Sequence, residues 1–201
     1  GDATQLDVSS VATNGSGGTI NLNAGTKGPG HLQITGNINA NGTGTGNGGN
    51  VNITFPEPNA LSPLLVGAVG GATQSYVSGN ILAQAPGIGV GGKISIQNTS
   101  SGAPLNIDFA NTGTISARSA QGQFGSVTLS TKGGNTPNLG ESITVKPQAG
   151  NVGNIGGLVY AVGEKVDITT RSTDARLDVG NIKATAGIVN LVSDQGTNSI
   201  V

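Results

Sequence analysis

A glycine-anchored pattern that recurs six times constrains this chain more than any other feature. Gly18, Gly49, Gly92, Gly125, Gly157 and Gly187 are each followed two residues later by Ile20, Val51, Ile94, Val127, Val159 and Val189. Four residues after each glycine stand Leu22, Ile53, Ile96, Leu129, Ala161 and Leu191. The glycines are 31, 43, 33, 32 and 30 residues apart, a period that marks a solenoid in which each repeat buries its apolar side against the next. Apolar residues at every second position make each repeat a strand, with the intervening Asn, Ser, Thr or Lys facing water.

A second landmark precedes the first in the same phase, at Gly36–Ala40, Gly79–Ala83, Gly113–Ala117, Gly150–Val152 and Gly180–Ala184. A third, apolar-x-apolar, lies at Leu32–Ile34, Leu105–Ile107, Ile143–Val145 and Leu177–Val179. Three short strands per turn of about 31 residues, with Gly, Asn and Pro at the corners, predict an all-β, three-sided parallel β-helix of about six coils. Residues 1–201 then form a single β-solenoid domain, roughly 30 Å long at about 4.8 Å per coil. Its predicted core is one interior row of Ile20, Val51, Ile94, Val127, Val159 and Val189.

Composition agrees with a narrow bore filled by small aliphatic side chains. The chain is 34% hydrophobic but only 2% aromatic, and its 36 glycines suit corners with positive φ while disfavouring helices. Polar low-charge chains are often disordered, but disorder gives no reason for apolar pairs to recur in register. The formal net charge of −1, with nine scattered basic residues, leaves no electrostatic footprint for nucleic acid or an anionic membrane. Two Tyr, three Phe and no Trp offer few stacking platforms for bases.

No cysteine is present, so disulfides and thiolate metal sites are excluded, and the composition suits a secreted, extracellular or cell-surface chain exported unfolded. The longest apolar run, Leu61 to Val69, is too short and interrupted to span a bilayer, so no membrane insertion is expected. A chain that begins at Gly1 without a signal peptide is expected to be a processed or excised part of something longer.

The repeats resemble the filamentous haemagglutinin-like exoproteins of bacteria, whose right-handed β-helices carry motifs close to Gly-x-Ile-x-Ala and Gly-Gly-x-Val-x-Ile. Gly79 to Gln97 (GNILAQAPGIGVGGKISIQ) and Gly36 to Thr54 (GNINANGTGTGNGGNVNIT) carry the likeness. It implies a right-handed coil and a cell-surface fibre or adhesin. The chain holds no Asn-Pro-Asn-Gly motif of the kind such proteins use to engage a secretion partner, so the resemblance implies a shaft segment instead.

Chemistry is sparse, and no cofactor, metal or catalytic residue is predicted. His31 is the only histidine and has no carboxylate near it in sequence; it reads as a solvated corner residue. The densest charge is Glu164-Lys165-Val166-Asp167 with Arg171, Asp174, Arg176 and Asp178. If Val166 and Val179 face inward, Asp167 and Asp178 face outward beside Arg176, a surface salt-bridge patch or an alternative face for binding or cleaving carbohydrate. Gly42 to Asn50 offers no carboxylate to calcium and reads as a flexible corner. The sequons at Asn14, Asn41, Asn52 and Asn98 are weak signals in an Asn- and Thr-rich chain. Outward Asn residues suggest side-chain ladders, and the outward row is too mixed for an ice lattice.

An apolar, proline-containing insertion at about 55–71 (FPEPNALSPLLVGAVGG) accounts for the step of 43. It either covers a side of the coil or docks on a second copy through Leu61, Leu64, Leu65 and Val66. Strand character persists to both ends, with Leu6 to Val8 at one and Ile188, Leu191, Val192, Ile200 and Val201 at the other, and an uncapped coil exposes unpaired backbone groups. The expected function is a structural subunit or shaft that joins copies of itself head to tail, with glycans or other cells as further partners.

Overall fold

A computed structural model describes residues 5–25, 31–58, 61–171, 177–194 and 200. Sixteen strands join in one curled, solenoid-like sheet, and no helix occurs among the described residues.

The pairings form three ladders. In the first, β2 (Thr19–Asn23), β5 (Asn50–Phe55), β9 (Lys93–Asn98), β12 (Ser126–Ser130) and the leading parts of β15 (Leu158–Arg171) and β16 (Asp178–Asp194) pair in parallel. The second stacks β3 (Gln33–Ile34), β7 (Tyr76–Val77), β6 (Leu64–Val66), β10 (Leu105–Phe109), β13 (Ile143–Pro147) and the trailing parts of β15 and β16. The third holds β1 (Leu6–Asp7), β4 (Ile38–Asn39), β8 (Ile81–Leu82), β11 (Thr112–Ser116) and β14 (Val152–Gly156). The sheet is nevertheless mixed, because Gly153 in β14 bridges antiparallel to Arg171 in β15.

Side chains alternate along each strand as the period-two pattern requires. In β9 every second residue from Ile94 is buried, and in β10 Leu105, Ile107 and Phe109 are buried while Asn106 and Asp108 are not. Ile20, Val51, Ile94, Val127 and Val159 stand in register as one interior row. Val189 does not continue it. Val179 pairs with Val159, whereas Val189 pairs with Val166 in the row of Leu105 and Ile143, and is 47% exposed. The apolar-x-apolar code is the same on all three ladders, so it fixes phase only while the corners between strands keep their lengths. Both β15 and β16 pass from the first ladder to the second within one strand, which moves Leu177–Val179 and Gly187–Leu191 onto other ladders than their spacing predicts. The second landmark slips similarly: Ile155, not Val152, pairs with Ile115, and Val152 is an exposed partner of Thr112.

Three of the repeat glycines, Gly49, Gly92 and Gly125, are required by close approach, whereas Gly157 and Gly187 are required by dihedral, with φ of 113° and 75°. A Cβ on Gly49, Gly92 or Gly125 would fall 2.0, 2.0 and 1.9 Å from the carbonyl oxygen of Gly18, Gly49 and Gly92, and none of the three has positive φ. Each of those carbonyls accepts the amide of the residue after the next repeat's glycine, as in Lys93 N to Gly49 O at 2.9 Å, so it cannot retreat without breaking the ladder. Gly125→Ala is expected to destabilise by about 2–3 kcal/mol through overpacking against backbone. Urea unfolding checks this against Gly71→Ala, where no atom lies within 4 Å of the added Cβ. Equal midpoints for the two variants would refute the stacking argument.

The insertion at 55–71 supplies a strand. Its β6 lies between β7 and β10 in the second ladder, although it precedes β7 in sequence, so the long repeat adds an extra rung to that ladder.

Candidate functional site

The charged face predicted around Asp167 and Asp178 is not assembled. Asp167 follows Val166 on the outer side of the second ladder, in register with Thr144 and Asn190, and accepts a 3.2 Å hydrogen bond from Asn190 Nδ2. Asp178 opens β16 on the first ladder opposite Leu158 and is 2% exposed, correcting its expected outward position. Its Oδ2 lies 3.7 Å from Arg118 Nη2, and the Arg118 guanidinium stands over the Phe124 ring at 5.8 Å. A carboxylate buried against an arginine on one ladder and a half-buried one on the outer side of a second ladder do not flank a common bond, as cleavage by paired carboxylates requires. Arg176 lies outside the described residues.

The predicted subunit contacts divide in two. Leu64, Leu65 and Val66 are buried as β6 and are not available to a second copy, whereas Leu61 is almost wholly exposed. The apolar insertion folds inward because β6 completes a ladder whose inner row, with Leu64 beside Ile107 and Val66 beside Phe109, excludes water. At the far end, Ile188, Val189 and Ile200 are 52%, 47% and 47% exposed, with Leu191 and Val192 partly buried behind them. Val201 lies outside the described residues. Among the described residues β16 pairs only with β15, and an isolated parallel bridge joins Leu177, just before β16, to Ile200.

Leu61 and Pro63 form one wall of a groove of about 320 Å³ whose other lining residues include Asp108, Thr144 and Lys146. Burial raises the Asp108 carboxyl above its ordinary range, and the Lys146 ammonium on the next rung offsets part of that shift.

Three polar residues acquire roles that spacing does not reveal. His31 is half-buried, not solvated, with Nδ1 3.7 Å from the Glu57 carboxylate. Glu57 is held by reciprocal bonds to the buried Asn98, its amide donating to Asn98 Oδ1 at 3.0 Å and its carbonyl accepting from Asn98 Nδ2 at 2.8 Å. Glu141 is fully buried at a corner, where its carboxylate accepts from the amides of Gly102, Gly133 and Asn138 at 3.0, 3.1 and 2.9 Å. Burial pushes the Glu141 carboxyl up, but the bonds from Asn138, Gly102 and Gly133 outweigh it and hold the group below its ordinary range. The sole sequence signal for either glutamate is a nearby Pro or Gly turn, which carries no period. Among the described residues no three His, Cys, Asp or Glu side chains are grouped to hold a metal.

Asparagine ladders are present on two surfaces. Asn52 Nδ2 donates to Asn21 Oδ1 at 2.7 Å on the outer face of the first ladder. At the third ladder's corner Asn37 Oδ1 accepts the amide of Asn80, and Asn80 Oδ1 that of Thr114, at 2.8 and 2.9 Å. The Gly42 to Asn50 corner is tied down likewise, with Thr43 N donating to Gly15 O at 2.9 Å and Thr45 N to Asn14 Oδ1 at 3.1 Å. No family model, curated protein or solved structure matches the chain.

Proposed function

We propose that the three ladders are the sides of a right-handed parallel β-helix, and that the chain is a structural shaft segment of an extracellular fibre or adhesin that joins its own copies end to end. The observation that carries this reading is the last strand, β16, which among the described residues pairs with β15 alone and exposes Ile188 and Val189. A sheet edge with apolar side chains beneath it accepts another strand through main-chain hydrogen bonds. Contacts between opposite ends are heterologous, and they propagate as filaments when no rotation closes them. The absence of cysteine and the likeness to filamentous haemagglutinin-like repeats support an extracellular location. The separation of Asp167 from Asp178 supports a role without catalysis.

Electron microscopy of the purified chain is expected to show thin fibres with an axial repeat of about 30 Å, six rungs at about 4.8 Å each. The double substitution Ile188→Lys and Val189→Lys, at exposed positions, is expected to leave the circular dichroism spectrum unchanged and abolish the fibres. A folded wild-type chain that stays monomeric at high concentration would refute self-association. Fibres that survive both lysines would refute β16 as the contact.

A further inference from the structure

Tyr160 stands on the outer face of the first ladder and lines two clefts. One cleft, about 190 Å³, has Thr128, Ser130, Asn135 and Asn181 in its lining. The other, about 170 Å³, includes Phe124 and Lys93 in its lining. We propose that these two clefts form a binding site for a neutral oligosaccharide, with Tyr160 as the platform between its sugar units. The proposal does not rest on the shaft reading.

The site is built and not a chance hollow. The register between β15 and β16 shifts between Val159 and Ala161, so Gly180 and Asn181 form a bulge beside Tyr160. Bulges recur at sites because they re-aim a side chain, here that of Asn181. The Tyr160 ring packs against the bare backbone of Gly180: a Cβ there would lie 2.6 Å from the ring's Cζ. Asn135 belongs to the 131–140 corner, which the buried Glu141 carboxylate grips at Gly133 and Asn138. Ring and loop are therefore positioned before any ligand arrives, which lowers the ordering cost of binding.

The polar groups in the first cleft are unoccupied. In the outward row Asn21, Asn52, Ser95, Thr128 and Tyr160 stand in register, and Asn52 spends its amide on Asn21. By contrast, among the described residues the side chains of Thr128, Ser130, Asn135, Tyr160 and Asn181 make no hydrogen bond within the chain. Hydroxyls and carboxamides both donate and accept, as sugar hydroxyls do, and the exposed face of an aromatic ring matches the C–H face of a pyranose. Among the described residues no charged side chain lines this cleft and only Lys93 lines the other, which favours an uncharged ligand.

With two tyrosines and no tryptophan, fluorescence of a Tyr76→Phe variant reports on Tyr160 alone. Maltotriose, cellotriose and triacetylchitotriose are the probes. At least one is expected to change the emission saturably, with a Kd on the order of 1 mM or tighter. Calorimetry with that probe is expected to show binding lost in Tyr160→Ala and weakened about ten-fold in Asn181→Ala, the loss of one or two hydrogen bonds. Thr19→Ala, on the first rung of the same face, is expected to bind as the parent does. No saturable response to any of the three, or equal affinity in a folded Tyr160→Ala variant, overturns the proposal.

Discussion

Val127→Asp is expected to leave the chain unfolded and insoluble at neutral pH, with the far-UV β-sheet signal lost. Val127 has no exposed surface and is flanked in register by Ile94 and Val159, so a carboxylate there meets aliphatic side chains above and below. The effective penalty for an unpaired buried ion is several kcal/mol, comparable with the roughly 5–15 kcal/mol that stabilises a whole domain. A solenoid magnifies the damage, because each rung is stable only against its neighbours and a broken rung frees both. Val127→Thr keeps the shape and adds one hydroxyl, at a cost of about 1–3 kcal/mol, and is expected to fold with a lower urea midpoint. On the adjacent outward residue, Thr128→Asp is expected to change stability by no more than about 0.5 kcal/mol. A soluble, cooperative Val127→Asp variant with the parent's spectrum would overturn the inward orientation of this row and with it the stacked core.

These contrasts also show what a single sequence reveals of such a fold. The row from Ile20 to Val159 is legible because glycines precede its strands, at Gly49, Gly92 and Gly125 because the stacked corner carbonyls admit no side chain and at Gly157 because its φ is positive. Phase fails at Val189 because β15 and β16 run through a corner as continuous strands, and alternation inside a long strand does not say which ladder it has reached. The insertion is legible as apolar but not as a strand. Its place between β7 and β10 depends on how the chain doubles back after Gly67, which has a φ of 99° and lies against Ala110. The outward charges mislead for a related reason: Asp167 and Asp178 are close in sequence but belong to different ladders, and the partner of Asp178, Arg118, is remote from it in sequence. Tyr160 is found only through three dimensions, since its clefts join β12, β15, the 131–140 corner and the bulge at Gly180.

Glu141 carries the second large effect, and its sign follows from the hydrogen bonds that hold it. Its carboxylate accepts five, from Gly102, Thr131, Gly133 and twice from Asn138. Replacing it by Ala leaves the three partly buried amides without their acceptor, and bonds to a charged group are worth roughly 1.5–3 kcal/mol each before compensation by water. Glu141→Ala is therefore expected to destabilise by about 3 kcal/mol or more at neutral pH. Glu141→Gln, which keeps one acceptor oxygen, is expected to lose less. For a chain of this length each kcal/mol lowers Tm by about 2–4 °C. Because the folded-state pKa of Glu141 lies below its unfolded value, the stabilisation is complete above the ordinary carboxylate range and is lost as pH falls through the lowered value. The difference between parent and Glu141→Gln should accordingly be largest at neutral pH and close on acidification. Asp108 has the opposite sign, since burial raises its pKa and protonation favours the folded state, but it is common to both proteins and cancels in the difference. Thermal melts of the two across this range check the expectation, and a Tm difference that stays constant or widens toward acid would show that the Glu141 carboxylate is not what holds the corner.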